Sequence, residues 1–230
     1  MSKKLKKILS IVLCTTLLLG ASQICLAEEM YDEEIFQIDV ADDGLNPADF
    51  EEANNALVAR GQAAIRQRST NYLNVPNYYQ SGQSWSNDIM QTDGLTIGSA
   101  GCCLTSFTMI QRYLGGNNNP RGVNNALGNA ACPFDYSAAA TIFGYRITHR
   151  VHEIVSDEYA IDFIAGAIDL GYPVLVGMKS DGSEPTHFVA AYGHNGSTIY
   201  IHDPASGRDY ETLNTYLQSY QVQRLYVFAN

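Results

Sequence analysis

The sequence contains few cysteines, and their spacing excludes two common structural roles. Of the five, Cys14 and Cys25 lie in an N-terminal apolar segment, so the rest of the chain keeps Cys102, Cys103 and Cys132. They form no Cys-x-x-Cys pair and no second cluster, which argues against a zinc site. A disulfide-held scaffold is excluded as well, because the chain is long enough to bury a core of its own. An odd number of cysteines instead predicts at least one unpaired or reactive thiol.

The chain also lacks a basic surface. It carries 14 Lys and Arg against 24 Asp and Glu, for a net charge of -10. A nucleic-acid-binding protein needs a basic face, so nucleic acid is not an expected partner. His149 and His152 lack the spacing of a metalloprotease helix, and we expect no metal and no organic cofactor. Several of the lysines lie together at the extreme N terminus: Lys3, Lys4, Lys6 and Lys7.

Long apolar runs are absent apart from one near the N terminus, from Ile8 to about Leu19. This run is short for a membrane span, and it lies between the lysines and the segment Cys25-Leu26-Ala27. The layout predicts a secretory signal peptide over residues 1–27, cleaved after Ala27, with an uncleaved anchor as the alternative. We therefore expect a secreted, extracellular protein, and association with the cell surface is left open.

Residues 28–70 are acidic and contain one helical pattern, from Pro47 to about Gln67. Asn46 before Pro47 suits a helix cap followed by a first-turn proline. Composition alone leaves two interpretations open, a pro-region or a solubilising spacer. The apolar residues expected on one face of this helix are Phe50, Ala53, Leu57, Val58, Ala64 and Ile65.

Residues 71–230 have the size and texture of one domain. Helices are predicted from Cys102 to Gly115, near 137–143 and over 157–170, with loops around "GNNNPRG" between the first two. The last third is rich in short β-branched and aromatic runs, which predict strands. An N-terminal helical part packed on a C-terminal antiparallel sheet makes this an α+β domain.

Cys102 and Cys103 stand where the first of these helices begins, in "GSAGCCLTSF". A helix N terminus favours a thiolate, which is the nucleophilic form of cysteine. The two side chains differ by about 100° around the helix axis, so only one can face a given cleft. We nominate Cys102 as nucleophile and expect Cys103 to pack behind the helix, with a disulfide to Cys132 as a lesser alternative. A buried apolar role is the alternative for Cys102 itself.

A cysteine nucleophile needs a base and a group that orients the base, and His187 with Asp203 could supply both. A two-residue Asn195-Gly196 turn would set His187 opposite Pro204, whereas a three-residue loop from His194 to Gly196 would set it opposite Asp203. The catalytic interpretation therefore predicts the three-residue loop.

Other polar residues of this region have simpler expectations. We expect His194 to be exposed in the turn and His202 to be structural, on the face opposite Asp203. Acyl transfer also needs donors for the developing oxyanion, namely the Cys102 N–H and a side-chain amide. Gln80 is the best candidate for this amide, with Gln83 close behind it.

The segments "VPNYYQSGQSW", "IGSAGCCLTSFTMIQRYLGG", "LGYPVLVGM" and "HFVAAYGHNGSTIYIHDPASG" occur in this order. Together they resemble the double-glycine (bacteriocin-processing) peptidase-like family, a branch of the papain-like cysteine peptidases. The resemblance covers about residues 71–208. It implies a papain-like fold with Cys102 as nucleophile, His187 as general base and acid, Asp203 orienting His187, and Gln80 in the oxyanion hole.

The sequence departs from the family pattern in two ways. Cys103 stands where glycine is common in the family, and no transporter domain follows, so the resemblance is to secreted stand-alone members. We expect a secreted cysteine peptidase that acts on a peptide or protein substrate through a thioester, with residues 28–70 as a pro-region whose helix covers the cleft. The alternatives are an exported non-catalytic module that binds peptides or cell-wall material, and a transpeptidase or amidase with the same triad.

Overall fold

The structure is a computed structural model that describes residues 44–90, 94–152, 156–180, 186–205 and 212–230. The predicted signal peptide and the acidic stretch as far as residue 43 lie outside the described residues. Within the described ranges, no helix is both long and apolar enough to cross a membrane.

The helices and strands of the described residues occur in runs and do not alternate strictly along the chain. The helices are α1 (Glu51–Arg66), α2 (Ile97–Ala100), α3 (Cys102–Tyr113), α4 (Pro120–Leu127), α5 (Tyr136–Phe143), α6 (Asp157–Asp169) and α7 (Leu213–Tyr216), with 3-10 turns at Pro47–Phe50 and Gly128–Ala130. The strands are β1 (Thr70–Tyr72), β2 (Arg146–Val151), β3 (Val174–Ser180), β4 (Thr186–Asn195), β5 (Thr198–His202) and β6 (Tyr220–Ala229).

The strands form one antiparallel sheet in the order β1-β4-β3-β6-β2, and β5 pairs with β4. Successive residues of a strand point to opposite faces, and β3 follows this rule: Leu175 packs in a core cluster with α3, α4 and α5, whereas Val174 and Val176 pack in a second cluster with α1 and α6. Helices thus cover both faces of the sheet. The α+β prediction is confirmed, but β1 and β2 come from the half that was expected to be mainly helical.

The predicted helices α3 and α6 end within a residue or two of their predicted bounds. The side chain of Ser156 accepts a hydrogen bond from the Tyr159 N–H at the start of α6, and Gly171 adopts a left-handed φ of 85° just after its end. Gly115, with a φ of 96°, follows α3 in the same way.

Helix α4 lies where loops were predicted, so that prediction was wrong. Its signal is nevertheless local: the Asn119 side chain accepts from the Gly122 N–H at 3.0 Å, and Pro120 occupies the first turn.

The predicted Asn46 cap is present at the start of the 3-10 turn Pro47–Phe50 that leads into α1, where the Asn46 side chain accepts from the Ala48 N–H. Helix α1 itself begins at Glu51, after Phe50, and has no side-chain cap. Its buried face differs from the predicted one, because Leu57 and Ala64 are joined there by Gly61 and Asn54. This face packs closely on α6: a Cβ at Gly61 would lie 1.7 Å from the Asp162 carbonyl oxygen.

Helix α1 therefore packs with α6 in the second core cluster, whereas α3 packs in the first, on the other face of the sheet. The interpretation of 28–70 as pro-region or spacer stays a prediction, but the helix within this segment is packed against α6.

The β4–β5 hairpin has neither of the two registers considered from the sequence. Asn195 pairs with Thr198, so the turn residues are Gly196 and Ser197, and the register shifts between Ala191 and Gly193. The bulge thus lies inside β4 and not in the turn. The reason is long-range, because β1 pairs with the same end of β4 and extends it through Asn195.

Candidate active site

Cys102 is the first residue of α3 and is 8% exposed. The short helix α2 leads into it, and Gly101 joins the two helices. A Cβ at Gly101 would lie 2.4 Å from the Ile97 carbonyl oxygen, so this close joint requires glycine. The first N–H groups of a helix have no acceptor within it, and the first bond of α3 is from the Thr105 N–H to Gly101. Cys102 therefore lies in the first turn of α3, whose N–H groups have no acceptor within the helix.

His187 and Asp203 meet directly. His187 Nε2 lies 2.9 Å from Asp203 Oδ1, and their side chains are 12% and 3% exposed. The predicted contact is present although the predicted register is wrong. If the observed register of Ala190 with His202 is continued by one residue, Asp203 falls opposite Val189, two residues from His187 on the same face. The pair is thus diagonal rather than directly opposite.

Both carboxylate oxygens of Asp203 accept hydrogen bonds. Oδ1 accepts from the Ala205 N–H at 2.8 Å as well as from His187, and Oδ2 accepts from the Tyr216 hydroxyl. Burial alone would raise the pKa of Asp203, but the hydrogen bonds and the charge of His187 outweigh burial and lower it. Asp203 is therefore held as a carboxylate.

The His187 ring also contacts Cys102. Burial disfavours the charged ring, but hydrogen bonds to Asp203 and Cys102, together with the charges of both groups, raise the pKa of His187 to about 9. Because Nε2 is engaged with Asp203, Nδ1 is the nitrogen available to the Cys102 thiol. The three side chains can form a thiolate–imidazolium pair supported by a carboxylate.

Gln80 lies between the segment that carries Asp203 and the segment that leads into α3. Its backbone N–H donates to the Pro204 carbonyl at 2.8 Å, and its side-chain Nε2 donates to the Gly98 carbonyl at 3.1 Å. The second Nε2 hydrogen remains available, and Oε1 is buried without a hydrogen-bond partner. Gln83, the other candidate from the sequence, is exposed.

Cys103 and Cys132 are buried, and no disulfide joins the described cysteines. Cys103 Sγ lies 4.0 Å from the Tyr136 hydroxyl, and burial raises the pKa of the Cys103 thiol well above its usual value. The expectation that Cys103 packs behind the helix is confirmed, and the alternative disulfide to Cys132 is not formed.

The remaining histidines lie outside this site. His202 is structural as expected: its Nε2 contacts the Val75 carbonyl at 2.9 Å and its ring stacks on Tyr192. His194 was expected to be exposed, and this is wrong because it lies inside β4, fully buried, with Nε2 2.9 Å from Asp169 Oδ1. Among the residues that the structure describes, no group of three or more His, Cys, Asp or Glu could hold a metal.

Two contacts of the site were not foreseen from the sequence. Tyr216 follows a segment without a motif, and nothing local indicates that its hydroxyl reaches Asp203. The buried Ser106 donates to the Phe188 carbonyl at 3.1 Å and so links α3 to β4 beside His187. For the second contact the sequence contains one indication, namely a hydroxyl one turn after Cys102 on a mainly apolar helix, which needs a hydrogen-bond partner when it is buried.

Comparisons with known proteins give the family of the chain. A search of curated proteins returns no match. Among solved structures, a Bacillus anthracis protein described as a C39-like peptidase matches with a TM-score of 0.44 and 15% identity, over 69% of this chain and 98% of that chain. The family model described as "Peptidase_C39 like family" matches residues 72–226. This match extends over the described site and supports a peptidase-type function, and the chain belongs to the peptidase C39-like family.

Proposed function

We propose that this protein is a cysteine peptidase that hydrolyses peptide bonds with Cys102 as nucleophile, His187 as general base and acid, Asp203 as the group that orients His187, and Gln80 in the oxyanion hole. The observation that carries the proposal is the contact of one imidazole ring with two groups. Its Nε2 lies 2.9 Å from the Asp203 carboxylate, and the same ring bonds to Cys102 at the start of α3. A nucleophile, a base and an orienting group in contact are the parts that covalent acyl transfer requires.

In the first half of the cycle, His187 Nδ1 takes the proton of the Cys102 thiol. The sulfur then attacks the carbonyl carbon of the peptide bond, and the π electrons of that bond move to the oxygen. When the carbonyl re-forms, the C–N bond breaks and His187 Nδ1 gives its proton to the leaving amine. The products are a thioester on Cys102 and a free amine.

The negative oxygen formed during attack needs hydrogen-bond donors in place beforehand. The N–H groups of the first turn of α3, which have no acceptor within the helix, provide one source, and the second Nε2 hydrogen of Gln80 provides another. Gln80 is fixed from both ends, by its backbone bond to Pro204 and its side-chain bond to Gly98. Such preorganised donors stabilise the transition state without reorganisation.

In the second half, water replaces the amine. His187 Nδ1 takes a proton from water, the oxygen attacks the thioester carbon, and the C–S bond breaks with return of the proton to sulfur. A carboxylic acid leaves and Cys102 is regenerated as a thiol. Asp203 keeps the ring oriented and stabilises its charged form throughout.

We also propose that the protein is exported. The proposal rests on the lysine-rich start, the apolar run from Ile8 to about Leu19 and the small residue Ala27 before an acidic segment. Mass spectrometry of protein from the culture medium of the producing cells would test it. We expect to find protein in the medium with its N terminus at Glu28. If the protein were found only in the cells, with its N terminus at Met1, export with cleavage would be contradicted.

A digest of a peptide library tests the peptidase function. Wild-type protein should produce new N and C termini, and Cys102→Ala should abolish them, whereas the matched variant Cys103→Ala should retain cleavage because Cys103 packs behind the helix. Wild-type cleavage no greater than that of Cys102→Ala would instead support a binding module. New amide bonds in place of new carboxyl termini would indicate a transpeptidase.

A further inference from the structure

Tyr216 makes a contact that the proposed triad does not by itself require. Its hydroxyl donates to Asp203 Oδ2, the carboxylate oxygen that does not face His187. The Tyr216 ring also lies beside the His187 ring, with centroids 5.5 Å apart. Tyr216 is only 2% exposed, so both contacts are formed inside the protein.

The short helix α7 holds Tyr216 in place through the hairpin that carries the site. Asn214 Oδ1 accepts from the Ile199 N–H at 2.9 Å, and Asn214 Nδ2 donates to the Ser197 carbonyl at 3.1 Å. Leu213 is fully buried at the start of the same helix. The helix with Tyr216 is therefore fixed to the strands that supply His187 and lead to Asp203.

We propose that Tyr216 is a positioning residue of this site: its buried hydroxyl fixes the Asp203 carboxylate in the orientation and charge state that keep His187 aligned with Cys102. The proposal rests on the peptidase function proposed above and adds a fourth side chain to its machinery. Tyr216 acts through Asp203 and takes no part in bond formation.

The chemistry of a buried carboxylate explains why this hydroxyl matters. Asp203 Oδ1 already accepts from His187 and from the Ala205 N–H, so Oδ2 depends on Tyr216. Without that donor, a nearly buried oxygen would lose its partner, which destabilises the charged form. The carboxyl group would then gain a proton more easily and could rotate away from the ring. A protonated Asp203 would no longer stabilise the imidazolium of His187.

The surroundings of Asp203 offer few other titratable groups that could take over this role. Within the described ranges, the titratable groups that face Asp203 or the His187 ring are His187 itself, Tyr216 of α7 and Cys102 of α3, with Tyr220 of β6 behind Tyr216. His202 and Lys179 point to the other faces of β5 and β3, away from Asp203 and His187.

The test compares Tyr216→Phe with Tyr220→Phe in the full chain. Both variants remove one hydroxyl from neighbouring rings, whose centroids are 5.3 Å apart, but only Tyr216 bonds to Asp203. The readouts are carbon NMR titration of the Asp203 carboxyl and the rate at which iodoacetamide alkylates Cys102, followed by mass spectrometry. Tyr216→Phe should move the carboxyl titration to higher pH and slow alkylation near neutral pH about tenfold, or about 1.4 kcal/mol. Tyr220→Phe should change neither.

A second background separates positioning from packing. In Asp203→Asn the carboxylate is absent, so adding Tyr216→Phe should slow alkylation no further. An unchanged Asp203 titration in Tyr216→Phe, or a further tenfold loss in the Asp203→Asn background, would overturn the proposal.

A measurement on the wild-type protein covers the case in which Tyr216→Phe does not fold. The ring carbon of Tyr216 that bears the hydroxyl should change its chemical shift with the same midpoint as the Asp203 carboxyl, and the lack of such a response would overturn the proposal. None of these readouts uses a peptide substrate. Absence of peptide cleavage with all of them as expected would therefore count against the peptidase function alone.

Discussion

Ser106, one helical turn after Cys102, donates a hydrogen bond to the carbonyl oxygen of Phe188, the residue that follows His187. Ser106 and Phe188 are 82 positions apart in the chain, and the Ser106 Oγ lies 3.1 Å from the Phe188 carbonyl oxygen. This bond fixes the helix that carries the nucleophile against the strand that carries the base. A contact outside the triad thus helps to hold Cys102 and His187 together.

Ser106→Ala should therefore weaken both the fold and the site. We expect a loss of about 1 kcal/mol in the free energy of unfolding, because a buried carbonyl loses its donor. Alkylation of Cys102 and peptide turnover should fall about three- to tenfold, because small misplacements of catalytic groups lower rates.

Thr108→Val is the matched control for Ser106→Ala. Its hydroxyl donates to the Leu104 carbonyl at 2.7 Å, within the same helix, and does not reach β4. It should leave alkylation and turnover near wild type. Equal loss of reactivity in both variants would show that any hydroxyl removal from α3 has this effect.

Gln80→Ala should lower kcat by about 100-fold with little change in KM, because the second Nε2 hydrogen is expected to bond to the substrate only when the oxyanion develops. Alkylation of Cys102 by iodoacetamide should change little, since that reaction forms no oxyanion. The control is Gln83→Ala, which changes an exposed side chain nearby. A rise in KM at unchanged kcat would instead assign Gln80 to substrate binding.

The stability of the protein should depend on pH through His187. Burial is outweighed by the hydrogen bonds and charges of Asp203 and Cys102, which raise its pKa from 6.5 to about 9. A raised pKa means that the folded state holds the proton more tightly than the unfolded state. The resulting stabilisation, at most about 3 kcal/mol, is fully present below pH 6.5 and is lost as the pH rises through about 9.

Urea unfolding of wild type and His187→Gln between pH 6 and about 10 measures this contribution. The difference between the two proteins should shrink over the upper part of this range. His202 provides the contrast, because burial lowers its pKa below 6.5, so its contribution is lost on acidification. A His187→Gln difference that is constant with pH would rule out the raised pKa.

Gly61→Ala should destabilise the protein by about 2 to 3 kcal/mol, because the added methyl would lie on the Asp162 carbonyl oxygen and push α1 from α6. Gln62→Ala, at the next and exposed position of the same helix, should be nearly neutral. Thermal unfolding measures both. If Gly61→Ala were also neutral, the close packing of α1 on α6 would not persist in solution.

The packing of α1 on α6 also tests whether residues 28–70 are a removable pro-region. A removable pro-region should leave a stable protein of higher activity when it is deleted. Because Leu57 is buried against α6, we expect deletion through Thr70 to destabilise the protein instead. Activity and unfolding of the deleted chain distinguish these outcomes, and a stable, more active product would restore the pro-region interpretation.

Local signals in the sequence were enough for several elements. Ser156 caps the start of α6, and a glycine follows the end of both α3 and α6. Because these signals act on residues a few positions away in the chain, the bounds of the two helices could be predicted. The Asn119 cap and first-turn Pro120 of α4 are signals of the same kind.

Contacts between distant segments could not be predicted in this way. Strand β1 pairs with β4, with Thr70 opposite Asn195, so β4 continues into the predicted turn as far as Asn195. The bulge therefore moved from the turn to the stretch between Ala191 and Gly193. The turn residues alone could not show the position of the bulge, because the choice between hairpin registers depends on which strands pair with β4.

The amino-acid order alone was enough to identify the reactive side chains and their succession: a glutamine, a cysteine at a helix start, a histidine in a strand and an aspartate after the next strand. The packing of separate elements was needed to show that His187 meets Asp203 diagonally through Nε2, that Tyr216 and Ser106 support the pair, and that α1 packs with α6 in the second core cluster. The difference lies in how far apart along the chain the contacting residues are. Helix caps and turns depend on neighbours in the chain, whereas these contacts depend on how separate elements pack, and many residue types are compatible with each position until that packing is known.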